Sequence, residues 1–291
     1  MSHRAGERRP GQTSVWAEMA ASALAEDVGD GDRTSMWTIP DDARGRARIV
    51  AKQAGVVAGT GFADCVFGAA DASLERAWLL SDGSDVARGD LIATVHGALR
   101  PIVTAERTAL NALARLSGIA TSTRGYVAAV DGTGARIVDT RKTTPGWRAL
   151  EKAAVLAGGG TNHRMGLYDM VLIKENHARA AGGIAAAIRA VRSPALAQGV
   201  EVEVEVTNLE ELEEALGEGA ARILLDNMAL EDLRAAAERV AGLDPRPVLE
   251  ASGGVSLASV RAVAETGVDL ISVGALTHSA PALDLTLLVD P

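Results

Sequence analysis

The pattern of apolar and polar positions changes character part-way along the chain. From residue 136 onward, short apolar runs rich in β-branched residues recur: "RIVDT" (136–140), "MVLIK" (170–174), "VEVEVEV" (200–206), "RILLD" (222–226), "PVLEAS" (247–252) and "DLISVG" (269–274). Ala-rich stretches of helical periodicity separate them. Strands of that kind are buried on both faces, and their alternation with helices predicts a parallel α/β sheet covered on both sides. Six such units in under 160 residues predict a barrel, or a nearly closed one, in preference to a dinucleotide-binding sheet. The G-x-G-x-x-G fingerprint is also absent after the first of these strands.

Ahead of them, "TAERTALNALARLSGIATSTRGYVAAV" (104–130) predicts a long amphipathic helix with Leu110, Leu113, Leu116 and Ile119 on its apolar face. Further upstream the rhythm differs. Thr13 or Ser14 is a candidate cap for a short helix ending near Glu26, followed by the turn-rich "EDVGDGDRTS" (26–35). "ARGRARIVAKQAGVVAG" (43–59) alternates as an antiparallel strand pair does, and "DGSDVARGDLIATVHG" (82–97) has the pattern of a hairpin. Roughly residues 30 to 100 are therefore expected to form an α+β sandwich and not βα units.

Composition narrows the function classes. An apolar fraction of 47% with 23% charged residues is that of a soluble globular protein, and no run of about 18 apolar residues spans a membrane. The opening "MSHRAGERRPGQT" is polar and lacks an apolar signal core, so a tail is expected there and not a secretory leader. Cys65 is the single cysteine, which excludes an internal disulfide and a cysteine-based metal cage and favours a cytoplasmic setting. It is expected in the core. A net charge of −9 and an aromatic content of 3% argue against nucleic-acid binding.

The strand ends hold the candidate chemistry, because catalytic groups of a (β/α) barrel sit at the C-terminal ends of its strands. Those positions are Arg141 and Lys142, then Lys174, Glu205, Asp226, "SGG" (Ser252, Gly253, Gly254) and "VGA" (Val273, Gly274, Ala275). A single charge after a strand is commonplace; a whole rim of charges and glycine turns is not. Glycine turns let backbone N–H groups approach an anion, and a late position in a barrel is the usual phosphate site. "TNHRMG" adds His163 and Arg164, and Arg107 stands near the start of the long helix. Such a cationic set in an acidic protein selects small polyanions, since guanidinium forks suit carboxylates and phosphates. "AGGGTNHR" does not match a P-loop, and the five histidines assemble neither a Ser/His/Asp set nor a zinc helix. Glu201, Glu203 and Glu205 share one face of their strand. They belong either to an exposed edge or to a barrel interior, where Lys142 and Lys174 on preceding strands are the available partners.

Together these residues resemble the quinolinate phosphoribosyltransferase family, the carboxylating nicotinate-nucleotide pyrophosphorylases among type II phosphoribosyltransferases. The resemblance is carried by "EDVGDGDRTS", "AERTALNALARLSGIAT", "VDTRKTTPGWRALEKAAVLAGGGTNHRMGLYDMVLIKENH", "LLDNM", "EASGGVS" and "ETGVDLISVGALTHSAPALDL". After the polar opening, read as a disordered tail over 1–13, it implies an N-terminal α+β sandwich domain over 14–118 and an incomplete (β/α) barrel over 119–275. The segment 276–291 would pack back on the N-terminal domain. The implied activity transfers the phosphoribosyl group of phosphoribosyl pyrophosphate to the ring nitrogen of quinolinate, with loss of CO₂, in NAD biosynthesis.

Carried over, the resemblance implies that Arg107 reaches the site from a neighbouring subunit of a homodimer, or of a hexamer of dimers. Arg141, His163, Arg164 and Lys174 would hold the two quinolinate carboxylates, with Thr140 beside them. Lys142, Glu205 and Asp226 would face the ribose and its Mg²⁺-bound pyrophosphate, Glu205 and Asp226 being the candidate metal carboxylates. The backbones of Ser252 to Gly254 and Val273 to Ala275 would take the 5′-phosphate, with His278 beside it. Two alternatives remain open: a paralogous pyrophosphorylase of the same fold acting on another base or a molybdenum-pathway ligand, and a non-catalytic phosphate-ligand barrel.

Overall fold

The computed structural model describes residues 12–290, with side chains from Val15 onward. The tail expected over 1–13 falls outside the described residues as far as residue 11. Its last two positions are helical. The elements are α1 (Gln12–Val28), α2 (Arg33–Thr38), β1 (Arg44–Ala51), β2 (Gly55–Val56), α3 (Thr60–Ala70), β3 (Glu75–Trp78), β4 (Asp85–Val86), β5 (Leu91–Ala98) and α4 (Leu99–Ala129). There follow β6 (Arg136–Val138), α5 (Arg148–Ala157), β7 (Val171–Ile173), α6 (Glu175–Ala181), α7 (Ile184–Gln198), β8 (Val202–Val206) and α8 (Leu209–Gly217). The chain ends with β9 (Arg222–Asp226), α9 (Leu230–Val240), β10 (Val248–Ser252), α10 (Val260–Ala264), β11 (Leu270–Ser272), α11 (Ala275–His278) and β12 (Leu285–Asp290). Two compact units divide it, residues 12–121 with 281–290 and residues 122–280, the boundary falling within α4. No helix of the described residues is long and apolar enough to cross a membrane.

The first unit is built on a four-stranded antiparallel sheet in the order β12-β1-β5-β3, beside a small β2-β4 pair. Alternation explains β1: Ala47, Ile49 and Ala51 are buried, while Arg44, Arg46, Arg48 and Val50 alternate with them on the other face. The pairing differs from expectation. β1 pairs with β5 and β12, not with β2, and β4 pairs with β2, not with β5, so neither expected hairpin forms. Alternation identifies strands but leaves their partners open, because pairing depends on turns and on contacts distant in sequence that one strand's own pattern does not encode. Thr13 and Ser14 lie inside α1 and do not cap it. The cap in this region is Asp32, whose carboxylate accepts from the Ser35 N–H at 3.0 Å and starts α2. α4 begins five residues before the expected start, with Pro101 in its first turn, where a missing N–H costs nothing. Leu110, Leu113, Leu116 and Ile119 are all buried, and Cys65 on α3 is half-buried.

The second unit is a six-stranded parallel sheet in the order β6-β11-β10-β9-β8-β7. Its two edge strands, β6 and β7, do not pair, so the barrel is incomplete. The central residues of β9, β10 and β11 are buried on both faces, which is why those segments are apolar apart from Glu250 and Ser272. β8 departs from that rule. Glu201 precedes the strand and is exposed, whereas Glu203 is fully buried and Glu205 is half-buried.

Candidate active site

The C-terminal ends of the parallel strands open on a cavity of about 300 Å³. Thr140, Arg141 and Lys142 reach it from the chain just past β6, and His163 and Arg164 from the loop before β7. Lys174 follows β7, Asp226 ends β9 and Ser252 ends β10; all three line it too. Leu172, Leu224, Glu250 and Ser272, from inside the strands, complete the lining. Short strands followed by tight turns put these groups there. The Lys142 N–H donates to Thr140 Oγ1 at 3.0 Å and the Thr143 N–H to the Arg141 carbonyl at 2.9 Å, turning the chain so that two adjacent cations present themselves at one rim.

The cations are not neutralised equally. Arg164 is 9% exposed and donates to the Met170 carbonyl at 3.2 Å. Burial, and then the neighbouring Arg141 charge, push its pKa below the usual guanidinium value. Arg141 Nε is buried and finds no acceptor among the described residues. Two guanidinium groups close enough to repel, one with an unused buried donor, make a wall that an anion would stabilise. Lys174 instead pairs with Glu205, which is outside the cavity wall.

Beneath the wall lies a polar layer that sequence reasoning only partly anticipated. His163 Nε2 donates to Glu203 Oε2 at 2.8 Å and lies 3.4 Å from Glu250 Oε2. Arg222, the first residue of β9, donates to Glu203 at 2.8 Å and to Glu250 at 2.6 Å. Glu203's partners are thus His163 and Arg222, not the expected Lys142 or Lys174, whereas Glu205 on the same strand does pair with Lys174. Glu250 and Arg222 were not expected in the site at all. Their signal was a charge inside an apolar strand, "VLEAS" and "RILLD", which is costly unless paired. Among the described residues, His163, Glu203 and Glu250 alone have metal-ligand spacing. Arg222 already bonds both carboxylates, which makes the cluster an ion network, although Glu250 Oε1 is buried without a hydrogen-bond partner among the described residues.

Two influences oppose each other at His163. Its Nδ1 faces the Arg164 N–H at 2.7 Å, which suits a neutral ring. Burial also disfavours the cation, but the hydrogen bonds and charges of Glu203 and Glu250 outweigh it and raise the pKa to about 9. Two buried carboxylates outweigh one backbone hydrogen bond of about 0.5–1.5 kcal/mol, so the ring is cationic at neutral pH.

The glycine turns stand around this rim. Gly253 and Gly254 follow Ser252 with φ of 99° and 59°. A Cβ on Gly253 would lie 2.2 Å from Asn227 Oδ1, so only glycine fits where the two strand-end turns meet. Asn227 itself has φ of 54° and donates to Asp226 Oδ2 at 2.7 Å, orienting that carboxylate. Gly274 is less constrained: a Cβ there would approach Lys142 Cδ to 3.1 Å and His278 Nε2 to 3.2 Å, so those two side chains would have to yield slightly. His278 is exposed, next to the rim as expected. Val273 does not fit its expected part. Its N–H donates to the Val138 carbonyl at 3.0 Å, so it joins β11 to β6 and is not a free phosphate donor. Thr277 Oγ1 donates to the Lys142 carbonyl at 2.8 Å and steadies that residue from α11. Arg107 belongs to the other unit, where its side chain is exposed.

The comparisons with known proteins agree with one another. Residues 32–117 match the family described as quinolinate phosphoribosyl transferase, N-terminal domain, and residues 119–288 match its C-terminal domain. A probable nicotinate-nucleotide pyrophosphorylase (carboxylating) of Synechocystis is 44% identical over 264 residues, covering 91% of this chain and 89% of that protein. A chloroplastic nicotinate-nucleotide pyrophosphorylase (carboxylating) of Oryza sativa is 44% identical over 283 residues, 92% of this chain and 76% of that one. The nicotinate-nucleotide pyrophosphorylase structure from Francisella tularensis superposes with a TM-score of 0.91 at 39% identity over the whole of both chains. NadC from Streptococcus pyogenes gives 0.91 at 36% identity, over 99% of this chain and 100% of that one. With both domain matches in sequence order and a fold shared along its length, the chain belongs to the quinolinate phosphoribosyl transferase family.

Proposed function

We propose that this chain is a carboxylating nicotinate-nucleotide pyrophosphorylase, joining quinolinate to the phosphoribosyl group of phosphoribosyl pyrophosphate with release of pyrophosphate and CO₂. The observation that carries this function is the convergence of Arg141, Lys142, His163, Arg164 and Lys174 on one cavity of about 300 Å³ in a protein of net charge −9. Both reactants are polyanions, and a cavity with more fixed cations than carboxylates is what they require.

Arg141 and Arg164 would grip the ring carboxylates and fix the pyridine nitrogen toward C1′ of the ribose. The nitrogen lone pair forms the N–C1′ bond while the C1′–O bond to pyrophosphate breaks and its electrons leave with the pyrophosphate. Positive charge develops on the sugar, and Asp226, with Glu205 from just outside the cavity wall, would stabilise it or hold the ribose hydroxyls. The 2-carboxylate then leaves as CO₂, its bonding pair staying on C2 beside the now positive nitrogen, and C2 takes up a proton. Lys142 would face the departing pyrophosphate.

Mg²⁺ fits this donor set as an ion that arrives on the co-substrate. Glu205 and Asp226 are two carboxylates at neighbouring strand ends, suited to a metal that keeps its phosphate and water ligands and not to an all-protein cage. Bound there, it would offset charge on the pyrophosphate. Arg107 would complete the site from a second subunit of a homodimer.

The test is an assay of the purified protein with phosphoribosyl pyrophosphate, Mg²⁺ and quinolinate labelled in its 2-carboxylate. Labelled CO₂ in step with the mononucleotide is expected. Mononucleotide formed only from a base that loses no CO₂ would favour the non-carboxylating alternative, and no product from any base would favour a binding protein.

A further inference from the structure

One helix turn of α5 connects the two loops that bear most of the cavity's cations. Arg148, Glu151 and Lys152 are spaced i, i+3, i+4 and so share a face. Arg148 donates through Nε to Thr143 Oγ1 at 3.0 Å, on the loop after β6, and through Nη1 to the Met165 carbonyl at 3.1 Å, on the loop before β7. Glu151 accepts from the Thr144 N–H at 3.1 Å and from Thr144 Oγ1 at 2.8 Å. Lys152 pairs with Asp139 and donates to the His163 carbonyl at 3.0 Å. Asp139 accepts the His163 N–H at 2.9 Å, and the Asn162 amide, oriented to donate, reaches Asp139 Oδ2 at 2.6 Å and the Lys152 carbonyl at 3.0 Å.

Glu151, Lys152 and Asp139 are all fully buried. Burial raises the Asp139 pKa to about 6 and lowers that of Lys152, and the charge of each opposes the shift of the other. Buried ion pairs of this kind are poor sources of stability, because apolar residues of similar volume commonly replace them without loss. What these side chains do here is more specific: each bonds a backbone or hydroxyl group within three residues of Arg141, Lys142, His163 or Arg164.

We infer that the polar face of α5 is a bracket that sets the spacing between the Arg141–Lys142 loop and the His163–Arg164 loop, making Arg148, Glu151 and Lys152 positioning residues for the carboxylate-binding wall. The inference rests on the function proposed above only for its kinetic consequence. The bracket itself is a statement about the two loops. A displacement of about 1 Å in a binding group commonly costs up to a hundredfold in rate, so loosening the bracket has a measurable effect without removing any group that touches a substrate.

Arg148→Met removes both ties of the half-buried arginine, and Thr143→Val removes only its acceptor on the first loop. Amide hydrogen exchange over 139–145 and 161–166, with quinolinate and phosphoribosyl pyrophosphate KM values, is measured on both variants and the unmodified protein. The bracket predicts that Arg148→Met exchanges roughly tenfold faster in both segments. It also predicts a quinolinate KM roughly tenfold higher, with the phosphoribosyl pyrophosphate KM within about twofold. Thr143→Val is expected to change in the same direction by less, and it decides the matter if Arg148→Met does not fold. Unchanged exchange overturns the bracket, and faster exchange with an unchanged quinolinate KM overturns its positioning role. An inactive unmodified protein whose variants still show the exchange effect defeats the proposed function and leaves the bracket standing.

Discussion

Arg222 Nη2 lies 2.6 Å from Glu250 Oε2, and the same guanidinium reaches Glu203 at 2.8 Å, so one cation from the start of β9 neutralises carboxylates on both neighbouring strands. Both carboxylates are fully buried. Removing the arginine leaves His163 as their one remaining ion-pair partner among the described residues, and breaking a buried pair from one side costs about 3–5 kcal/mol. Arg222→Met should therefore lower the midpoint of chemical denaturation substantially, with little change in its slope. A variant as stable as the parent would show that the carboxylates have another partner.

His163 gives this network a pH dependence. Its folded pKa is raised to about 9, above the ordinary value of 6.5, by Glu203 and Glu250. A group raised in the folded state binds its proton more tightly there than in the unfolded chain. Its stabilisation is then fully present below pH 6.5 and is lost as pH rises through 9. The stability difference between the parent and His163→Gln should shrink across that window. A difference independent of pH between 6 and 10 would mean that the ring is neutral throughout.

Arg141→Ala should weaken quinolinate binding by roughly ten- to a hundredfold, the loss of a charged contact of about 1.5–3 kcal/mol. Titration calorimetry with quinolinate measures it directly. Binding unchanged within a factor of two would remove Arg141 from the carboxylate wall.

Glu205→Gln and Asp226→Asn should lower kcat much more than they raise the quinolinate KM, because their charge matters when the ribose becomes cationic. Steady-state kinetics separate the two parameters. Full turnover in both variants would reassign the carboxylates to structure, where Lys174 already holds one and Asn227 the other.

Arg107 is exposed on α4 and is proposed to serve a partner's site. Mixing inactive Arg107→Ala with inactive Lys174→Ala subunits should restore part of the activity, since a mixed dimer keeps one site with both residues. Mixed dimers that form but stay inactive would place Arg107 elsewhere.

Much of this architecture was legible in the chain. The six strands of the second unit announced themselves as short runs rich in β-branched residues, largely apolar apart from the alternating glutamates of β8 and Glu250 in β10, and their polar ends marked the rim directly. The first unit was harder: β1 was visible by alternation, but its partners, β5 and the distant β12, depend on contacts that no local pattern encodes. Within the site, Arg141, Lys142 and Lys174 could be found because a charge after an apolar strand is conspicuous, and Arg164 because it stands with His163 in the loop before β7. Arg222 and Glu250 were passed over because their charges sit within strands, where only the fold reveals that the three side chains of His163, Arg222 and Glu250 meet around Glu203. Val273 was misassigned for a related reason: sequence shows that a backbone N–H exists but not that Val138 already uses it.

The central claim, that cations at successive strand ends form one receptacle for an aromatic dicarboxylate, is tested most directly by a crystal structure with quinolinate bound. The expected density lies in the cavity, with the two carboxylates within hydrogen-bond distance of the Arg141 and Arg164 guanidinium groups. Quinolinate bound elsewhere, or in the cavity with its carboxylates turned away from both arginines, would contradict it.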